Sequence, residues 1–137
     1  MAQRRLFWTS LGDSRIYLHR GRRLVKLTED DWVRTVGDAS RGDEPEMVGQ
    51  IVTLVNQAVG WGGVECPSVE EMEVGADDIV LLCSDGLTEA ASEKQIEEAL
   101  YKHRKRLDLI ARRLLDMASC HADGDNTTVV LVRLDKR

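Results

Sequence analysis

The sequence predicts an α+β fold, antiparallel β layers covered by helices, and three observations carry that expectation. The N-terminal region alternates short stretches rich in aromatic and β-branched residues with turn residues. In the middle lies Ile79-Val80-Leu81-Leu82-Cys83, an apolar run of strand length with no polar alternation, which predicts a strand buried on both faces. Two helical patterns follow, and the chain closes on a β-branched strand.

Taken in order, residues 6–11 and 15–19 flank Gly12-Asp13-Ser14 and predict a hairpin, with a third short strand after Gly21 to complete a meander. Residues 34–44 hold Gly37, Asp38, Ser40, Gly42 and Asp43 without periodicity and predict a loop. Met47, Ile51, Leu54, Val55 and Ala58 recur at helical spacing, so an amphipathic helix is expected there, ended by Gly60-Trp61-Gly62-Gly63. Ser92 and Gln95 form a capping-box pattern ahead of a helix from about Glu93 to Lys102. The stripe Leu107, Ile110, Ala111, Leu114, Leu115 and Ala118 predicts the next helix. Thr127 to Leu134 predicts the final strand.

A chain of 137 residues suits one domain, 1–137. With 42% hydrophobic and 31% charged residues it has the balance of a globular protein rather than a disordered one. No apolar run is long enough to cross a bilayer, so no membrane partner and a cytoplasmic location are expected. Charge is uneven: residues 1–34 hold eight Lys/Arg against four Asp/Glu, and residues 65–98 hold one against eleven. A basic N-terminal region set against an acidic middle is one consequence.

Cys66, Cys83 and Cys120 lack the spacing of a zinc site or a disulfide framework. A cysteine-phosphatase loop would need Arg six residues after the Cys, but Met72, Glu89 and Asn126 stand there, and Cys83 is expected as a buried apolar residue. His19, His103 and His121 are expected at the surface. Lys102, Arg104, Lys105 and Arg106 form a basic cluster, for which a helix C-terminus and a solvated connection are sufficient reason. A formal net charge of −5 and the lack of interleaved aromatics argue against a nucleic-acid partner.

Three aspartates recur at strand ends: Asp13 in Gly-Asp-Ser-Arg, Asp85 in Ser-Asp-Gly and Asp125 in Gly-Asp-Asn. A short carboxylate at the end of a rigid strand is pointed with little freedom, and adjacent Gly or Asn lets the backbone turn beside it. Such positions suit metal ligation, and oxygen-only ligands select hard ions such as Mg2+ or Mn2+.

GDSR at 12–15, Leu27-Thr28-Glu29-Asp30, Ala58-Val59-Gly60, LLCSDGLTE at 81–89 and DNTTVVLV at 125–132 occur in the order seen in the C-terminal half of type 2C protein phosphatases, the PPM family, which this chain resembles through most of its length. The resemblance implies half of an α-β-β-α sandwich and hydrolysis of phosphoserine or phosphothreonine on a protein substrate by a metal-activated water. Asp85 and Asp125 would be metal ligands, Asp13 would hold a further, weaker metal with Asp85, and Ser84, Gly86 and Asn126 would support them. Arg15 is expected in a structural salt bridge.

The same resemblance places a phosphate-binding arginine and a D-G-x-G-G segment in the family's other half, and neither motif occurs here. Two functions are therefore expected: part of a phosphatase, completed by a missing segment or a partner chain, or an inactive phosphatase-like binding or regulatory module. A half-sandwich exposes an apolar face, so self-association or pairing with a completing chain is also expected.

Overall fold

A computed structural model describes residues 4–36, 51–55, 57–60, 67–120 and 125–135. Its centre is a four-stranded antiparallel sheet in the order β3-β2-β7-β8, built from Arg15–Arg20 (β2), Arg23–Lys26 (β3), Ile79–Cys83 (β7) and Val129–Arg133 (β8). Register follows side-chain alternation: Tyr17, Leu81 and Leu131 stand in one row across β2, β7 and β8, and Ile16, Leu82 and Val130 in the next. Tyr17 and Leu81 are fully buried and join the core, against which Leu131 packs. Ile16, Leu82 and Val130 face the other way, and Leu82 and Val130 remain 38% and 49% exposed.

That exposure corrects the expectation for β7. Val80 is buried and Leu82 is not, so the apolar run is fully covered only on the face carrying Ile79, Leu81 and Cys83. The covering elements are helices Asp85–Ala90 (α1), Glu93–Lys102 (α2) and Leu107–Ser119 (α3). Ser92 starts α2 by a capping box: its Oγ accepts the Gln95 N–H, and the Gln95 side chain accepts the Ser92 N–H at 2.9 Å. Ile96, Ala99 and Leu100 from α2 meet Ile110 and Leu114 from α3 over the sheet. Both helices have the bounds their periodicity predicts to within about a residue. The single-turn helix α1 is an addition that its six residues were too few to announce.

The hairpin expected from residues 6–11 and 15–19 does not form. Arg4–Trp8 (β1) pairs instead with Glu70–Val74 (β6) in a separate two-stranded sheet, matching Leu6 to Met72 and Arg5 to Glu71. The intervening turn carries the chain from one sheet to the other: Gly12 has φ +94°, its N–H donates to the Asp31 carboxylate at 3.0 Å, and its carbonyl accepts from the Asp31 N–H at 2.9 Å. The true hairpin is β2–β3 around Gly21. Uneven charge helps place β1 and β2: Arg5 pairs with Glu71, and Arg20 with the buried carboxylate of Asp78, each at 2.6 Å.

Trp32–Val36 (β4) and Ile51–Val55 (β5) form a third antiparallel pair. At residues 51–55 this overturns the helix expected from 47 to 58, and at residues 34–36 the loop expected from 34 to 44. Ile51, Val52, Thr53 and Val55 are β-branched, stiff at χ1 and better suited to a pleated pair than to a helix. Residues 37–50 and Trp61 to Gly63 lie outside the described residues. No helix among the described residues is long and apolar enough to cross a membrane.

Adjacent positions on α3 provide a test of this packing. Leu114 is fully buried and Leu115 is 39% exposed. Leu114→Ala is expected to lower unfolding free energy by about 3 kcal/mol and Leu115→Ala by less than about 1 kcal/mol, as read from urea denaturation.

Candidate functional site

The carboxylates of interest sit at one end of the central sheet. β7 ends at Cys83, which pairs with Val129 at the start of β8, so the residues after β7 and before β8 are neighbours by register. Ser84 joins them: its N–H donates to the Thr128 carbonyl at 3.1 Å, its Oγ accepts from the Thr128 N–H at 3.0 Å, and the same hydroxyl donates to the Asn126 carbonyl at 3.2 Å. Gly86 closes the contact. A Cβ there would stand 2.7 Å from Thr127 Oγ1 and 3.0 Å from the Asn126 carbonyl oxygen, the latter being backbone that cannot step aside cheaply.

Each aspartate is oriented by the amide that follows it. One oxygen of Asp85 accepts from the Gly86 N–H at 2.8 Å, and one oxygen of Asp125 accepts from the Asn126 N–H at 2.6 Å. Among the described residues neither carboxylate makes an ion pair, and Asp125 is exposed. Oriented oxygen donors of this kind match hard divalent cations. Asp13 stands half-buried on the turn between β1 and β2. The next residues of that turn, Ser14 and Arg15, share a cleft of about 470 Å³ with Ser84 and Thr128. The three segments thus border one cleft, but no group of three His, Cys, Asp or Glu side chains able to hold a metal gathers among the described residues. Among the described residues the carboxylates at this end are oxygen donors, and fewer than three of them come together.

Arg15 is spent structurally. Its guanidinium grips Asp30 through Nε and Nη2, at 2.7 Å for the shortest contact, and Nη1 donates to the Tyr17 hydroxyl at 3.3 Å. Asp30 also accepts from Lys26 at 3.0 Å. Burial works to raise the Asp30 pKa, but the hydrogen bonds from Arg15 and Lys26 prevail and hold the carboxyl below its usual range. Two residues before Asp30, Thr28 Oγ1 accepts the Ile16 N–H, so the 27–31 segment braces the aspartate turn from behind. The salt bridge expected of Arg15 is thus present, whereas Leu27-Thr28-Glu29-Asp30 stood out in the sequence only as part of the family resemblance and not as this brace.

Cys83 is 4% exposed, and burial pushes its thiol up to about 11, with Arg15 opposing; it stays protonated at neutral pH and serves packing, as expected. His19 departs from expectation: it is 3% exposed, on the helix-facing side of β2, not at the surface. His121 is outside the described residues.

No family model matches the chain. Among curated proteins, the chain is similar to the serine/threonine protein phosphatase PstP of Mycobacterium tuberculosis, with 36% identity over 132 residues covering 95% of the chain and 25% of that protein. It is also similar to the serine/threonine phosphatase Stp of Listeria monocytogenes, with 34% identity over 140 residues, 98% of the chain and 54% of that protein. The crystal structure of the PstP catalytic domain in complex with two manganese ions superposes with a TM-score of 0.66 at 31% identity, over 98% of the chain and 56% of the solved one. The chain therefore spans about a quarter of PstP and about half of Stp.

The Asp30 brace has a pH signature. Because its folded pKa is depressed, its contribution to stability is complete above the unfolded value of about 3.9 and is lost as pH falls through the folded pKa. Asp30→Asn is expected to cost about 2 kcal/mol at pH 7, with the gap to the unmodified chain closing below about pH 4 in urea titrations.

Proposed function

From the homology of nearly the whole chain to PPM-type protein serine/threonine phosphatases, we propose that it is part of a metal-dependent phosphatase domain that hydrolyses phosphoserine or phosphothreonine esters on proteins once the rest of the domain is supplied. The observation that carries this reading is the close packing of Gly86 on residues 125–127, which keeps Asp85 and Asp125 at one end of one sheet.

In this reading Asp85 and Asp125 are ligands for Mn2+ or Mg2+, and Asp13 joins Asp85 in a weaker position. The chemistry such ions supply when bound is activation of water and neutralisation of charge at phosphorus. The chain's own part is orientation. Ser84 and Gly86 hold the two segments together, and the Gly86 and Asn126 amides direct the carboxylates. A cytoplasmic signalling role accompanies this proposal, in keeping with the free thiols of Cys83 and Cys120.

The exposed sheet face favours a completing partner. Leu82, Val130 and Val132 are 38%, 49% and 45% exposed in adjacent rows, and β8 ends the sheet with its outer edge unpaired among the described residues. A strand-bearing segment from another chain, or a second copy, would cover both.

A second reading, an inactive module that binds phosphoproteins or partner phosphatases, draws on the incomplete donor set described above. Manganese-dependent hydrolysis of a phosphothreonine peptide separates the two, using the chain alone and mixed with a separately produced N-terminal half of the Listeria phosphatase. The enzyme reading expects activity in the mixture that Asp85→Asn lowers by about a hundredfold or more. Absence of turnover in both, with the two pieces shown to bind each other, leaves the regulatory module.

A further inference from the structure

At the other end of the central sheet, roughly 15 Å along β7 from Asp85, a cavity of about 500 Å³ is lined by His19, Asp77, Arg104, Lys105, Arg133 and Asp135. We propose that this basic end is a docking site for an acidic polypeptide segment.

The turn between α2 and α3 that carries Arg104 and Lys105 is held rigidly. The His103 N–H donates to the Ala99 carbonyl, the Arg106 N–H to the His103 carbonyl at 2.7 Å, and Arg133 Nη1 to the Arg104 and Lys105 carbonyls at 3.3 and 3.1 Å. These bonds are made by backbone groups and by Arg133, and among the described residues neither the Arg104 nor the Lys105 side chain donates to a carbonyl of α2.

Ion pairing points the same way. At this end Arg106 pairs with Asp108 and Arg133 with Asp135, whereas Arg22, Lys102, Arg104 and Lys105 pair with no carboxylate among the described residues. On a braced turn the backbone adds little to the ordering cost when an anion arrives. His19, buried at the cavity wall, has an Nε2 with no hydrogen-bond partner among the described residues.

The chemistry of the lining selects the class of partner. Asp77 and Asp135 stand beside the three cations, and Asp135 accepts from Arg133 at 3.3 Å, so a compact dianion would meet two carboxylates. An extended chain with spaced carboxylates avoids that cost by spreading its charges over Lys102, Arg104, Lys105 and Arg22. Tyr101 is flanked by the Arg22 and Arg104 guanidinium groups, 4.8 and 5.7 Å from its ring centre, and offers no free platform for a nucleic-acid base. The α2–α3 turn presents no large exposed apolar side chain to enter a lipid surface.

This inference is independent of phosphatase activity, because binding is measured on the chain itself. A fluorescently labelled peptide of alternating Glu and Ser is titrated with the full chain at low ionic strength, followed by anisotropy. Arg104→Ser with Lys105→Ser is expected to weaken binding about tenfold, and raising the salt to weaken the unmodified chain toward the same value. Arg112→Ser with Arg113→Ser, an equal charge change at exposed positions of α3, is expected to change it less than about twofold. An equal loss in both variants, no binding at all, tighter binding of single-stranded DNA or phosphatidylserine vesicles, or self-association that consumes the same residues would each overturn the proposal.

Discussion

The candidate site at the end of β7 depends on one close approach, that of Gly86 to residues 125–127. The strand pairing of β7 with β8 brings the two segments to the same edge, and the Ser84 N–H extends it by a bond to the Thr128 carbonyl. The absence of a Cβ on Gly86 leaves room for Thr127 and the Asn126 carbonyl, and the Ser84 hydroxyl bonds to both the Asn126 carbonyl and the Thr128 amide. Each carboxylate takes its direction from the amide of its own neighbour, and the contact sets the two neighbours side by side. The core beneath, where Leu81, Cys83 and Leu87 are packed, fixes the strand end from which α1 leaves.

A second set of interactions fixes the opposite side of the cleft. Asp30, Asp31 and Thr28 reach back to Arg15, Gly12 and Ile16, so the turn bearing Asp13 is held by side chains rather than by a sheet. Buried ion pairs contribute little net stability when charged groups could be replaced by apolar ones, yet losing one partner is costly. The arrangement therefore specifies position more than it adds stability. It also explains why β1 leaves β2 for β6: the turn is committed to Asp31, and Arg5 and Arg20 find their acids in the 70–78 segment.

Much of this was legible in the sequence because local pattern and tertiary environment agree. The stripe of α3, the capping box of α2 and the apolar run of β7 each encode their element in a few residues and retain it in the fold. β5 was missed because Ile51, Leu54 and Val55 satisfy helical spacing while the β-branched character of the segment favours pairing, and the partner that decides the contest, Trp32–Val36, is remote from it in sequence. The pairing of β1 with β6 was hidden for the same reason, since nothing local distinguishes a strand folding back from one crossing to another sheet. At the site, the triplets named Asp85, Asp125 and Asp13 as candidates, but the Gly86 contact and the Asp30 brace are properties of neighbours in space. His19 was misread because burial depends on what α2 and its following turn place over β2.

The account rests on Asp85 and Asp125 acting as one oxygen-donor pair at the end of β7. Titration of the isotopically labelled chain with Mn2+, followed by amide NMR, tests this directly, because a paramagnetic ion broadens nearby signals even when bound weakly. The account predicts that the amides of Gly86 and Asn126 broaden first and that Asp85→Asn removes the effect. Broadening centred instead on the acidic 70–78 segment, or persisting unchanged in Asp85→Asn, would contradict it.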